Sequence, residues 1–381
     1  MRLPFLVIVL LFLAGCYGIS RWAAGIKTET DTSPNRTHLA IIAIGLFLIA
    51  GKTLELAQKH GVWDAWAIWN LHAAYLQNAA TWQNMFQNIL HAHPDYPLLL
   101  PNTIAFLNNI LGTGNVIYTA FCFHFAITLL IPLLIYLQLH TRSFILAILS
   151  LWYFSTDDTF IMQGAYQLAD VLLAFFYLSA SIAVDGIKED KKMAAVTAFL
   201  LGAAMWTKNE GIPFACLFCA FHARTLFLKQ NIRYTLSGIA LPLLTLLFFK
   251  ITYAPANDIV NGQDQSTFAR LTDISRYKLV YHSFRDAIYQ YFYFPACAVC
   301  LSILVALVRN KMPGMNVLLV LACCLCYLLV YIITPIDLEW HLQTSIQRVL
   351  MQLMPMAMYA SPMYFTGNSI FRFRATFLQG R

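Results

Sequence analysis

The sequence is short of charge. Only 11% of its 381 residues are Asp, Glu, Lys or Arg, against about 25% in an average soluble domain. So few charges cannot cover a water-facing surface, which excludes an ordinary soluble globular chain. Acids are scarcer than bases, 18 against 25. The net charge of +7 nevertheless makes no case for a nucleic-acid partner. In a membrane chain, Lys and Arg report topology instead. A repeat of 20–50 residues is also missing, which excludes solenoids and propellers. Polar cysteine motifs are missing too. Cys216 and Cys219, Cys297 and Cys300, and the trio Cys323, Cys324 and Cys326 all lie in apolar runs without a nearby His or acid. They read as small packing residues, and no metal or cofactor is expected.

What the chain has in abundance is apolar sequence: 59% hydrophobic residues and a mean hydropathy of +0.62. A spanning helix needs about 20 mostly apolar residues. Candidate runs are 3–20, 39–57, 113–139, 143–156, 166–184, 193–206, 212–228, 234–253, 286–308, 313–333 and 348–364. The expected fold is therefore an all-α polytopic membrane protein of about 11 transmembrane helices, forming a single transmembrane domain over 1–381. The first run, "MRLPFLVIVLLFLAGC", has two readings: a first span, or a lipoprotein signal with Cys16 as lipid acceptor.

Basic loops separate these readings. Arg21, Lys27 and Arg36, then Arg142, then Lys188, Lys191 and Lys192, then Lys229 and Arg233, then Arg309 and Lys311, then Arg372, Arg374 and Arg381 fall on one side if the spans alternate. That side is expected to be cytoplasmic, with the carboxyl terminus inside. A cleaved signal would invert every loop, so the first-span reading is preferred. The long loops 58–112, 254–285 and 334–347 then lie outside.

The first outer loop opens with "VWDAWAIWNLHAAY", one acid among three tryptophans. Trp66, Trp69 and Ala73 have helical spacing, and Trp favours the membrane boundary. The loop is expected to carry interfacial helices at 64–79 and 81–90, broken afterwards by Pro94, Pro97 and Pro101. Asp64 either opens the first helix as an N-cap or does chemistry. Other ionisable residues gather on the same side: Asp157 and Asp158, Asp170, Lys208 and Glu210, Arg270, Arg276, Lys278 and Arg285, then Asp337, Glu339, His341 and Arg348. Such residues at a membrane edge are costly and usually functional.

The segments "WDAWAIWNLHA", "HPDYPLLLP", "YQLADVLLAFF", "TKNEGIP" and "WHLQTSIQRVLMQLMP" run from 63 to 355. Together they resemble the glycosyltransferase C fold. More narrowly, they resemble bacterial members related to protein O-mannosyltransferases, lipid A aminoarabinose transferases and rhizobial lipopolysaccharide-core transferases. The resemblance implies an inner-membrane glycosyltransferase with a polyprenyl-phosphate sugar as donor. The site would be on the periplasmic face, with an acid in the first outer loop, here Asp64. Many such enzymes pair two acids in that loop. This chain has one, which argues against a metal held between carboxylates.

With that donor, the phosphate leaves while an acceptor hydroxyl attacks the anomeric carbon. Asp64 is expected to act as general base. Arg348 is expected to neutralise the departing phosphate, since its planar donor set suits phosphate oxygens; the alternative is a snorkelling anchor. Lys208 is a second phosphate candidate, or a surface lysine beside Glu210. His341 is a further donor, or a plain loop histidine. Trp69, Asp95, Tyr96, Asp170 and Glu210 are candidates for binding sugar or acceptor. Asp95 also suits an Asx-turn, and Asp170 and Glu210 suit structural ion pairs or caps. His91, His93 and Asp95 make a sparse metal set that is not expected to hold an ion.

The acceptor class stays open: glycan, lipid or protein. Three other readings compete: an O-antigen-type polymerase or ligase, a lipid-linked sugar transporter or flippase, and a non-catalytic assembly subunit. A transporter predicts broken helices near mid-span and a two-fold repeat.

Overall fold

The computed structural model describes residues 36–86, 93–264 and 266–367. The expected first span, Cys16 and His91 lie outside the described residues. Every described regular element is a helix.

The helices of ten or more residues carry the fold, and several of them start where a side chain satisfies free N–H groups. In order, α1 is Arg36–Glu55, α2 Asn70–Tyr75, α3 Leu99–Leu111, α4 Val116–His140, α5 Phe144–Thr156, α6 Asp158–Ala165 and α7 Ala169–Asp185. They are followed by α8 Met193–Thr207, α9 Gly211–Phe221, α10 Ile232–Thr252, α11 Ile274–Tyr291, α12 Tyr293–Val308, α13 Met315–Ile333 and α14 Leu338–Gly367; α2 and α6 are the short exceptions. Asn115, Ser143, Asp157 and Asp273 are N-caps whose side chains accept from backbone N–H groups of the next turn.

Among the described residues, five helices are long and apolar enough to cross a membrane: α1, α4, α7 with its extension to Lys188, α10 and α13. Seven qualify if two bent pairs each count as one span, α5 with α6 and α11 with α12. The chain is thus an all-α protein with membrane-spanning character, and among the described residues five to seven of the expected spans are long enough. The runs at 193–206 and 212–228 form helices of 15 and 11 residues, short of a bilayer core of about 30 Å at about 1.5 Å per residue. The run at 286–308 breaks at Phe292, where α11 and α12 meet at 102°. Pro295, in the first turn of α12, has no N–H to carry α11 onward. The segment 254–285, expected as a loop, is largely helical. Phe47, Leu241, Leu244, Phe248, Leu304 and Leu307 are exposed on α1, α10 and α12, as lipid-facing helices require.

The chain divides into two compact units, one running to Phe175 and including Lys188–Asp190, the other Phe176–Ile187 with everything from Lys191 on. In the first, α4 packs against α1, α3, α5 and α6. In the second, α8 packs on α10 and α9, α9 on α13, and α14 on α11, α12 and α13.

Candidate functional site

In the first unit, Gly61 turns the chain out of the segment after α1 with φ of +71°, a conformation open to glycine. Val62 N–H then reaches the Tyr166 carbonyl at 3.3 Å. The helix that follows begins at Trp63 and Asp64, and Ala65–Trp69 is π-helical before α2 continues it. Asp64 is half-buried, already helical, and makes no side-chain cap bond. The N-cap alternative for Asp64 therefore falls. π-turns inside helices are rare and frequent at functional sites.

The π-turn also corrects the tryptophan pattern. A wider turn carries residues three apart onto different faces, so Trp63 and Trp66 are about half exposed while Trp69 and Ala73 are fully buried. Ala65, Ile68, Asn70 and His72 are buried as well, so this helix is packed into the unit rather than laid on a surface. It ends at Tyr75, and the described part of the second expected helix is 3-10 helical at Trp82–Phe86; residues 87–92 lie outside the described residues.

Trp69 and Tyr96 stack with centroids 5.3 Å apart, and Tyr96 stacks on His93 at 4.8 Å. Asp95 is 4% exposed and lies close enough to His72 to act on its titration. Burial lowers the His72 pKa to about 4, with His93 adding to the fall and Asp95 opposing it. Asn70 Nδ2 donates to Gln167 Oε1 at 2.8 Å, and both residues are buried. Asp170 is fully buried in the first turn of α7.

Two clefts of about 310 and 420 Å³ share Gln58, Lys59 and His60. Asn115 and Tyr118 line one, Trp66 the other. Sequence reasoning missed Lys59 and His60; their signal was the polar "QKHG" just before the tryptophan run. Asp64 does not line either cleft.

In the second unit, α8 ends at Thr207 and "KNE" turns the chain into α9. Gly211 sits so close to the Ala204 backbone that a Cβ there would collide with it. The turn holds Lys208 Nζ 2.7 Å from Glu210 Oε1, with the lysine side chain only 4% exposed. Lys208 is therefore not a surface lysine. Asn209 Oδ1 accepts from Lys250 Nζ at 2.8 Å, and the Glu210 carbonyl accepts from Tyr177 Oη at 3.0 Å.

No family model, curated protein or solved structure matches the chain. The site is therefore read from its own chemistry.

The richest polar surface of this unit is on α14. His341, Ser345, Arg348 and Gln352 are spaced i, i+4, i+7, i+11 and share one face. Against them, Thr334 Oγ1 meets His341 Nδ1 at 3.1 Å, Tyr331 Oη meets Ser345 Oγ at 2.7 Å, and Tyr327 Oη donates to Gln352 Oε1 at 2.8 Å. The end of α13 and the start of α14 are thus joined by a ladder of side-chain hydrogen bonds. Arg348 is half-buried on this ladder face, in a helix that starts ten residues before it. His341 is helical rather than a loop residue. Burial lowers its pKa, the Glu210 carboxylate draws it up and the Lys208 ammonium presses it down, so all three lie within electrostatic reach. Arg276 fans its guanidinium over the Ile332, Tyr331 and Thr334 carbonyls at 2.8–3.3 Å.

The first unit thus holds Asp64, Trp69, Asp95, Tyr96 and Asp170, with Trp69 and Tyr96 in contact. The second holds Lys208, Glu210, His341 and Arg348, with the first three clustered. Among the described residues, no three His, Cys, Asp or Glu side chains gather as a metal site.

Proposed function

We propose that this chain is a membrane glycosyltransferase that moves a sugar from a polyprenyl-phosphate donor to an acceptor hydroxyl on the periplasmic face of the inner membrane. Asp64 takes the acceptor proton. Arg348 and Lys208, with His341 as a further donor, neutralise the phosphate as the glycosidic bond breaks. The acceptor is a glycan, lipid or protein hydroxyl.

One observation carries this reading: a buried ammonium, its carboxylate partner and a half-buried imidazole lie within electrostatic reach of one another, and the imidazole shares a face of α14 with a half-buried guanidinium. Buried ionisable groups in such surroundings are expensive and mark substrate handling. An ammonium and a guanidinium suit an anionic head group. A half-buried carboxylate just before a π-turn suits a base.

The test is Asp64→Asn in purified protein with a polyprenyl-phosphate sugar. Donor turnover should fall about 10²–10⁴-fold, the range of general-base catalysis, with donor affinity kept. Turnover near wild type would overturn the role. Arg348→Ala should weaken donor binding more than Arg233→Ala, whose side chain lies exposed over Tyr234; equal effects would remove the phosphate role.

A second reading, translocation of a lipid-linked sugar, has one observation in its favour. The pair α5–α6 is bent by 60° at Asp157, and broken helices are a transporter feature. Reconstituted vesicles separate the two: translocation without donor cleavage supports the transporter.

A further inference from the structure

The first unit contains a knot of buried polar atoms that the proposed chemistry does not use. Trp69, Asn70, His72, Gln163 and Gln167 are each at most 5% exposed. Among the described residues, Trp69 Nε1, Asn70 Oδ1, both ring nitrogens of His72, Gln163 Oε1 and Gln167 Nε2 have no hydrogen-bond partner. Native interiors satisfy the great majority of such atoms, and an unmet one loses its hydration with nothing in return. Six in one neighbourhood are a concentrated expense, and sites of binding are where such an expense is kept.

The atoms belong together. Asn70 and Gln167 are bonded to each other, which uses one donor and one acceptor and leaves one of each over. Trp69 and His72 flank Asn70 on one short helix. Gln163 accepts at its backbone from Leu168 N–H, beside Gln167. Gln167 is held at a φ of +60°, an uncommon conformation for a residue other than glycine, and strain of that kind clusters at ligand sites.

Their chemistry selects a ligand class. The indole N–H and one amide group only donate. Two amide carbonyls only accept. A neutral imidazole offers one of each. An anion would be repelled by the carbonyls and a cation by the N–H groups. A hydroxyl donates and accepts, and turns to suit both. Beside the knot, Trp69, Tyr96 and His93 form a stacked aromatic column, which supplies apolar ring faces.

We infer that Trp69, Asn70, His72 and Gln167, with Gln163 at the edge, bind the hydroxyls of a neutral sugar. This deepens the proposed function, since it rests on a substrate that carries a sugar, and it assigns that sugar to the first unit.

The experiment measures binding of neutral methyl glycosides, inorganic phosphate and sugar-free polyprenyl phosphate to the full chain in detergent, read by tryptophan fluorescence and calorimetry. A subset of the glycosides should bind. Asn70→Leu, His72→Leu and Gln167→Leu should each weaken them about tenfold without changing polyprenyl phosphate affinity. Gln163→Leu leaves the Asn70–Gln167 bond intact and serves if the other variants do not fold; it should weaken the same sugars about threefold. Unchanged sugar affinity in the variants that fold overturns the inference and leaves the knot to internal water. Loss of phosphate binding in step with sugar binding overturns it as well. Sugar binding that depends on Asn70 in a chain that turns over no donor would keep this site and remove the transferase. Donor turnover whose KM ignores all four variants would keep the transferase and remove this site.

Discussion

Lys208 Nζ stands 2.7 Å from Glu210 Oε1, two residues on in the turn between α8 and α9, with the lysine side chain 4% exposed. Removing one member of a buried pair leaves an uncompensated charge. Glu210→Gln should therefore destabilise the chain by roughly 3 kcal/mol, while Lys208→Met combined with Glu210→Gln should recover part of that. A denaturation series in detergent, arranged as a double-mutant cycle, measures the coupling. A cycle that sums to zero would show that the pair is not coupled.

Asp64 and Asp157 test what a helix-start acid does in this fold. Asp157 Oδ1 accepts from Phe160 N–H at 2.7 Å, whereas Asp64 makes no cap bond. Asp157→Ala should cost about 1 kcal/mol of stability, the usual price of a cap. Asp64→Ala should cost about half that or less while losing donor turnover. Equal losses of stability would restore the capping reading of Asp64.

Some of this was legible in the residues and some was not. The run 113–139 became α4, and 313–333 became α13, because a long apolar stretch between polar turns has one stable fate in lipid. The π-turn at Ala65–Trp69 left no such trace. Its hydrogen bonds shift by one residue at no cost in composition, and that shift separates Trp66 from Trp69. The break at Phe292 was marked by Pro295 but hidden in a continuous apolar run. The face of His341, Ser345, Arg348 and Gln352 is plain in its spacing, yet its partners Tyr327, Tyr331 and Thr334 are set by tertiary packing. Lys208 reads as a surface residue from its polar neighbours; only packing buries it.

The imidazole of His72 sets a pH dependence. Its pKa falls from an ordinary 6.5 to about 4 on folding, chiefly through burial. Between those values the unfolded chain binds the proton and the folded chain does not, so stability rises with pH there. The contribution is full above about pH 6.5, is lost as the pH drops toward 4 and amounts to about 3 kcal/mol at most. His341, also lowered by burial, adds a slope of the same sign. His72→Gln should flatten the curve of unfolding midpoint against pH over that window; an unchanged slope would assign it elsewhere.

The rungs of the hydrogen-bond ladder between α13 and α14 should contribute unequally to stability. Tyr327→Phe leaves the buried Gln352 oxygen without its hydroxyl donor, and should cost about 1–3 kcal/mol. Tyr331→Phe should cost less, because Ser345 Oγ also donates to the His341 carbonyl at 2.6 Å. Thermal unfolding of the two variants orders them, and a larger loss at Tyr331 would contradict the ladder as described.

Arg276 is expected to act as a clamp on the end of α13. The last carbonyls of a helix have no partner within it and carry its negative dipole end. Arg276 donates from Nε to Ile332 and from Nη2 to Tyr331 and Thr334, so one planar group meets three carbonyls on the stretch that leads into the face bearing His341 and Arg348. Arg276→Lys keeps the charge but not the fan, and should forfeit about 1 kcal/mol. Arg276→Gln removes the charge as well and should forfeit about 2 kcal/mol. Since Thr334 Oγ1 also meets His341 Nδ1, a loosened α13 terminus should weaken donor affinity in the same order. Limited proteolysis around 334–337, read beside donor binding, follows both effects. If the lysine variant were cut and bound donor like the wild type, charge alone would account for the clamp.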